Sequence, residues 1–154
     1  MQINIYTDGS SRGNPGPGGF GVVMISNKHR KEMSGGFRNT TNNRMELLAV
    51  IVALENLKLH GLYISIYTDS KYVCEAVEKK WVFGWEQKNF KGKKNADLWK
   101  RFLELYPKNH ITFKWIKGHA GHKENERCDH LATEAADDKK NLKTDDGFES
   151  GLYN

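Results

Sequence analysis

The sequence predicts an α/β fold: a mixed β-sheet with helices packed on its faces. Two observations carry this. Hydrophobic periodicity and turn signals along the 154 residues give the element order βββαβααβα. The run Ile5-Tyr6-Thr7-Asp8 also returns as Ile66-Tyr67-Thr68-Asp69, each time a strand ending in aspartate and followed by a turn or cap residue. Sixty residues lie between the aspartates, with a helix among them, so a right-handed crossover makes the two strands parallel neighbours.

Each element has its own signal. Residues 2–7 alternate polar with β-branched or aromatic types and read as a strand. Asp8–Gly19 is dense in Gly, Pro, Ser and Asn and reads as a loop. Strands follow at about 20–26 and 31–37, split by Ser26–Arg30 as in a hairpin. Asn39–Asn43 offers several N-caps for a helix reaching about Leu59, where His60-Gly61 stops it. Leu62–Thr68 is a strand, and Ser70 caps a helix from Lys71 to about Glu78. The stretch 79–95 is basic and aromatic, interrupted by Gly84 and Gly92. A helix over 96–105 ends at Pro107, His110–Ile116 is the last strand, and a loop bearing glycine and histidine leads to a helix at 124–137. Residues 1–138 form the expected single domain, with a basic segment at 79–95. Residues 139–154 lose periodicity and read as a polar tail, either flexible or a short partner-binding peptide centred on Phe148, Leu152 and Tyr153.

Composition bounds the function classes. The chain is long enough for one domain with a real core and carries a net charge of +5, which suits a polyanionic partner. Cys74 and Cys128 form no disulfide framework and read as structural thiols of a reducing compartment. No secretory leader pattern opens the chain and no apolar run approaches the roughly 18 residues that span a bilayer. The expectation is a soluble cytoplasmic monomer with no membrane contact.

The chemistry centres on four carboxylates. Adjacent parallel strands lie about 4.8 Å apart, so Asp8 and Asp69 stand side by side at the carboxyl edge of the sheet, where open α/β sheets bind ligands. At that spacing one must protonate or a cation must intervene. Glu46 heads the first long helix on the apolar stripe of Ala49, Val50, Ala53 and Leu57, a costly place for an unmatched charge. Asp129, early in the last helix and in line with Ala132 and Ala136, also borders a buried face. Helix capping and interaction with the helix dipole are the ordinary alternatives for such residues. An all-oxygen ligand set suits Mg²⁺ or Mn²⁺; His119, His122 and Cys128 lack the fourth ligand of a zinc site.

With these residues in place, the sequence resembles the bacterial type 1 ribonuclease H family over nearly its whole length. The matching runs are Tyr6–Ser10, Gly13–Gly19, Thr40–Leu47, Tyr67–Ser70, Asp97–Trp99, Trp115–His122 and Glu124–Asp129, in order and at compatible spacing. The resemblance implies a ribonuclease H-like fold with a five-stranded mixed sheet and helices on both faces. It also implies an endonuclease that hydrolyses the RNA strand of RNA–DNA hybrids with two Mg²⁺ ions, leaving 5′-phosphate and 3′-hydroxyl ends. Asp8 would bridge both ions, with Asp129 on the nucleophile side and Glu46 and Asp69 on the other. His119, between Gly118 and Gly121, would assist proton transfer or product release.

The hybrid partner has two strands to be told apart. Ser11, Asn14, Asn42 and Asn43 lie in loops beside the carboxylates and suit 2′-hydroxyls and base edges of the RNA. The segment with Trp81, Trp85 and Lys88 interleaves rings and cations suited to a DNA backbone. Trp85, Thr41 and Asn95 match family positions that hold DNA sugar or phosphate. The chain departs from the family pattern in a shorter basic segment, in Phe90 where tryptophan is common and in Lys71 where glutamine is common. The full set of family runs, the Asn42-Asn43 loop above all, argues against a related strand-transfer enzyme, and a purely binding or structural protein gains nothing from acids facing phosphates.

Overall fold

The computed structural model describes residues 2–154. Five strands form one sheet: β1 (Gln2–Ser11), β2 (Gly16–Ser26), β3 (His29–Thr40), β4 (Tyr63–Thr68) and β5 (His110–Trp115). Their order is β3-β2-β1-β4-β5. The first three strands are antiparallel neighbours, whereas β4 runs parallel to both β1 and β5. The expected parallel pairing of the two Ile-Tyr-Thr-Asp runs is present, with Ile5 opposite Ile66 and Tyr6 opposite Tyr67.

The helices are α1 (Asn42–Glu55), α2 (Lys71–Glu78), α3 (Trp81–Gln87), α4 (Ala96–Leu105), α5 (Lys123–Asp137) and α6 (Asp146–Glu149). Helix α1 is buried almost all round, from Arg44 to Leu54, because it lies between the sheet and α4. Its partners include Ile5, Ile66, Trp99 and Phe102, all fully enclosed. Helix α5 covers the opposite face at β1 and β2, which puts helices on both faces. Its approach needs bare backbone: a Cβ on Gly21 would stand 2.3 Å from the Cys128 carbonyl oxygen, and one on Gly19 as close to that of Ala132.

Four segments differ from the sequence expectation. Helix α1 ends at Glu55, short of the expected Leu59, where Asn56 caps it through its N–H to the Val52 and Ala53 carbonyls and its side chain to that of Val52. The glycine-rich stretch 8–19 is largely strand, because its backbone pairs in the β1–β2 hairpin even where its residues favour turns. The basic segment contains a helix, α3, whose Val82 is fully buried. Residues 139–154, read as a polar tail, are tied to the domain instead of trailing from it. Lys143 joins β3 through Arg38 N–H to its carbonyl (2.9 Å) and its own N–H to Gly36 (3.0 Å). Asp145 then caps α6 and is itself buried. No helix of the described residues is long and apolar enough to cross a membrane. Both cysteines are buried free thiols.

Candidate active site

The parallel register that sets Tyr6 level with Tyr67, carried on two residues, brings Asp8, within β1, level with Asp69, the residue that follows β4. Glu46 reaches them from the second turn of α1, the helix that Thr41 caps by accepting from the Arg44 N–H at 3.3 Å. This meeting requires Gly9: a Cβ there would lie 2.3 Å from the Glu46 backbone nitrogen. One carboxylate oxygen from each of Asp8, Glu46 and Asp69 falls within 4.8 Å of the others.

Electrostatics marks this cluster as unfinished. Asp8 and Glu46 are each only 5% exposed. Burial first, then the neighbouring carboxylates, pushes Asp8 up to about 8 even though the Gly9 N–H donates to its Oδ1 at 2.9 Å. Burial and the charges of Asp8 and Asp69 hold Glu46 well above the ordinary glutamate range. Glu46 Oε1 is buried with no hydrogen-bond partner among the described residues. A buried carboxylate oxygen without a partner, on one member of a cluster of acids, fits a hard divalent cation.

Asp129 stands outside the tight trio. It is half-buried on the second turn of α5, one residue past Cys128, whose carbonyl lies over Gly21, the partner of Asp8 across the hairpin. Its charge still reaches Asp8 and contributes to the raised pKa. His119 is exposed on the loop between β5 and α5, in a left-handed conformation with φ 55°. The loop is seated against the site at Gly118, where a Cβ would lie 2.5 Å from Asp69 Oδ2.

The expected substrate residues fall into two groups. On the first side, Asn14 Oδ1 accepts the Asn42 N–H at 3.0 Å, Ser11 donates to the Gly13 carbonyl, and Asn42 and Asn43 lie exposed at the start of α1. On the second, Trp81 is 48% exposed and Trp85 packs edge-to-face with Trp99 at 5.9 Å, with the Lys93 ammonium over the Trp85 ring at 5.0 Å. Trp81 and Trp85 separate two grooves. One, of about 370 Å³, faces α2, and the other, of about 430 Å³, is edged by Lys88 and Lys91. Between the two groups lies a polar cleft of about 150 Å³, with Asn14, Thr41 and Asn43 on one side and Lys94 and Asn95 on the other. Asn95 is buried and its side chain is used within the fold: it donates to the Tyr72 hydroxyl (3.0 Å) and accepts from Arg44 (3.3 Å).

A model of the RNase H family matches residues 1–137. The chain belongs to the RNase H family. Among curated relatives, Ribonuclease H of Desulforamulus reducens is 55% identical over 140 residues, covering 88% of this chain and 87% of the relative. Ribonuclease H of Trichodesmium erythraeum is 48% identical, with 96% of each chain covered. The solved structure of LC9-RNase H1, a type 1 RNase H with the type 2 active-site motif, superposes with a TM-score of 0.80 at 28% identity, covering 98% of this chain and 81% of that one. LC11-RNase H1 in complex with RNA/DNA hybrid is 30% identical with a TM-score of 0.68, covering 90% of this chain and 99% of that one.

One support of the carboxylate cluster was not singled out from the sequence. Arg44, 1% exposed, donates to Asp97 through Nη1 (2.9 Å) and Nη2 (2.7 Å), and to Asp145 through Nε (2.8 Å) and Nη2 (2.9 Å). The pair fixes the first turn of α1 two residues from Glu46. Asp145 lies in the stretch read as tail, and nothing local in its sequence points to a partner 101 residues away.

Proposed function

We propose that the chain is an endonuclease that hydrolyses the RNA strand of RNA–DNA hybrids by a two-metal-ion mechanism, giving 5′-phosphate and 3′-hydroxyl ends. The observation that carries this is the meeting of Asp8, Glu46 and Asp69 within 4.8 Å, with a buried Glu46 oxygen left unpaired. Membership of a family whose relatives are named Ribonuclease H supports the reaction class, and a structural relative in complex with RNA/DNA hybrid supports the substrate.

Asp8, Glu46, Asp69 and Asp129 would hold the ions, with Asp8 shared, Asp129 on the nucleophile side and Glu46 and Asp69 opposite. Mg²⁺, or Mn²⁺ in its place, supplies an ionised water at neutral pH and offsets charge on the leaving oxygen when bound there. The carboxylates themselves keep the site from accepting phosphate without a cation, since acids repel it. His119, on its exposed loop beside Asp69, takes or delivers protons at the edge of the site.

Ser11, Asn14, Asn42 and Asn43 present short polar groups to the RNA, where a 2′-hydroxyl both donates and accepts. Trp81 and Trp85 offer apolar faces to deoxyribose, and Lys88 with its neighbouring lysines meets phosphates. Thr41 and Asn95 shape the cleft between these surfaces, with Lys94 as its cation. The buried free thiols support a reducing compartment, and we place the protein in the cytoplasm as a monomer.

Incubating end-labelled RNA–DNA, RNA–RNA and DNA–DNA duplexes with and without Mg²⁺ tests this. Metal-dependent cutting confined to the RNA of the hybrid is expected. Intact hybrid, or equal cutting of all three duplexes, overturns the assignment.

A further inference from the structure

We propose that Leu152–Asn154 is a positioning element for hybrid binding: it locks the Lys94–Asn95 loop and completes the wall of the polar cleft. This rests on the hybrid-nuclease reading above and extends it to a segment that the sequence presents as a tail. The contacts run in order along the chain. Asp145 anchors the segment on Arg44 and accepts from the Thr40 hydroxyl at 2.7 Å. Gly147 then lies so close to the Arg44–Asp97 pair that a Cβ there would stand 1.9 Å from Asp97 Oδ2. After α6, Gly151 takes a left-handed conformation (φ 76°) and turns the chain back toward the cleft.

The turned-back residues meet the loop directly. The Asn95 N–H donates to the Tyr153 carbonyl at 2.9 Å. Asn95 is itself left-handed at φ 65°, a conformation that asparagine adopts more readily than other residues with a side chain. Four contacts hold it here: Tyr72 and Arg44 on the side chain, the Tyr153 carbonyl on its N–H, and the Trp99 N–H, which donates to its carbonyl at 3.0 Å. Asn154 and Phe148 line the same cleft as Lys94, Asn95, Thr41 and Asn14, and Asn154 Nδ2 is held by the Phe148 carbonyl at 3.1 Å. Leu152, by contrast, is 78% exposed and adds nothing to the core. A segment with so little apolar burial, ending on a substrate-facing loop, stabilises the loop more than the fold.

The test compares the full chain with one ending at Gly151 and with Asn154→Ala. Hybrid affinity is measured by fluorescence anisotropy in an Asp8→Asn background, and cleavage kinetics in the native background. Loss of one buried backbone hydrogen bond and the cleft wall predicts Kd and KM raised about tenfold, with kcat at saturating hybrid changed by less than about twofold. A single neutral methylphosphonate scanned along the DNA strand should reveal one position that weakens binding to the full chain and weakens the shortened chain no further. Asn154→Ala, which keeps the Tyr153 carbonyl, should show part of the same coupling and decides the matter should the shortened chain fold poorly. Unchanged Kd in both variants, or kcat falling in step with KM, or additive losses at every methylphosphonate position, overturns the proposal. A full chain that neither binds nor cuts hybrid would instead overturn the nuclease reading.

Discussion

Replacing Asp8 with asparagine should abolish cleavage and make the protein more stable. Without metal, the folded state holds a proton at Asp8 up to a pH of about 8, whereas the unfolded chain releases it near 3.8. A carboxylate whose folded pKa is raised costs stability as pH climbs through the window between those values. Roughly three pH units separate 3.8 from neutrality, and at about 1.4 kcal/mol each this amounts to on the order of 4 kcal/mol at pH 7. Glu46 shares the burden, so part of that cost survives in the variant. Asparagine keeps the size of the side chain and an oxygen for the Gly9 N–H but has no charge to bury. Metal-free urea unfolding should therefore show Asp8→Asn more stable by about 2–4 kcal/mol at pH 7 and nearly equal to the parent at pH 4. Mg²⁺ should stabilise the parent and leave the variant almost unmoved. A variant less stable at pH 7, or equally stabilised at both pH values, would refute the argument from buried like charges.

His119→Ala should lower kcat on the order of a hundredfold with KM little changed, because the residue sits beside the site and holds no carboxylate in place; steady-state kinetics checks this. Changing Lys88, Lys91, Lys93 and Lys94 to glutamine should weaken hybrid binding and flatten the dependence of log Kd on log salt by about 0.7–0.9 for each phosphate left without its lysine, and an unchanged slope would remove the phosphate role. Gly118→Ala should displace the Asp69 carboxylate and raise the Mg²⁺ concentration needed for half-maximal activity, while circular dichroism shows the fold intact. Burial would raise the pKa of Asp145, but hydrogen bonds from Arg44 and Thr40 and the Arg44 charge lower it further, so its contribution to stability is present above about 4 and lost as pH falls through the depressed folded value. Asp145→Asn should thus cost about 3 kcal/mol at pH 7 and much less near pH 2, measured by thermal melts.

The residues that were legible in the sequence are those whose role is local or repeated. Asp8 and Asp69 could be matched because the same four-residue run recurs in two strands, and parallel pairing then dictates their meeting. Glu46 was legible because a charge heads an apolar stripe. The strand and helix order emerged from periodicity, and the β2–β3 hairpin from the polar Ser26–Arg30 stretch, where Asn27 adopts φ 54°. What stayed hidden depends on distant contacts. The stretch 8–19 favours turns residue by residue, yet strand pairing overrides that preference. The Arg44–Asp97–Asp145 network joins three segments with no shared pattern, and α3 is held by the burial of Val82 and Trp85 more than by its glycine-broken sequence. Asp129 shows the limit of helical spacing: it identifies the face but not the distance, and the residue stands beside the trio instead of within it.

The proposed chemistry rests on Asp8, Glu46 and Asp69 forming a seat for divalent cations. Anomalous diffraction from crystals grown with Mn²⁺ tests it directly. A strong peak bounded by these three carboxylates, lost in Asp8→Asn crystals, is the result predicted here. Crystals saturated with Mn²⁺ that show no peak there, or show it only at other acidic residues, would contradict it.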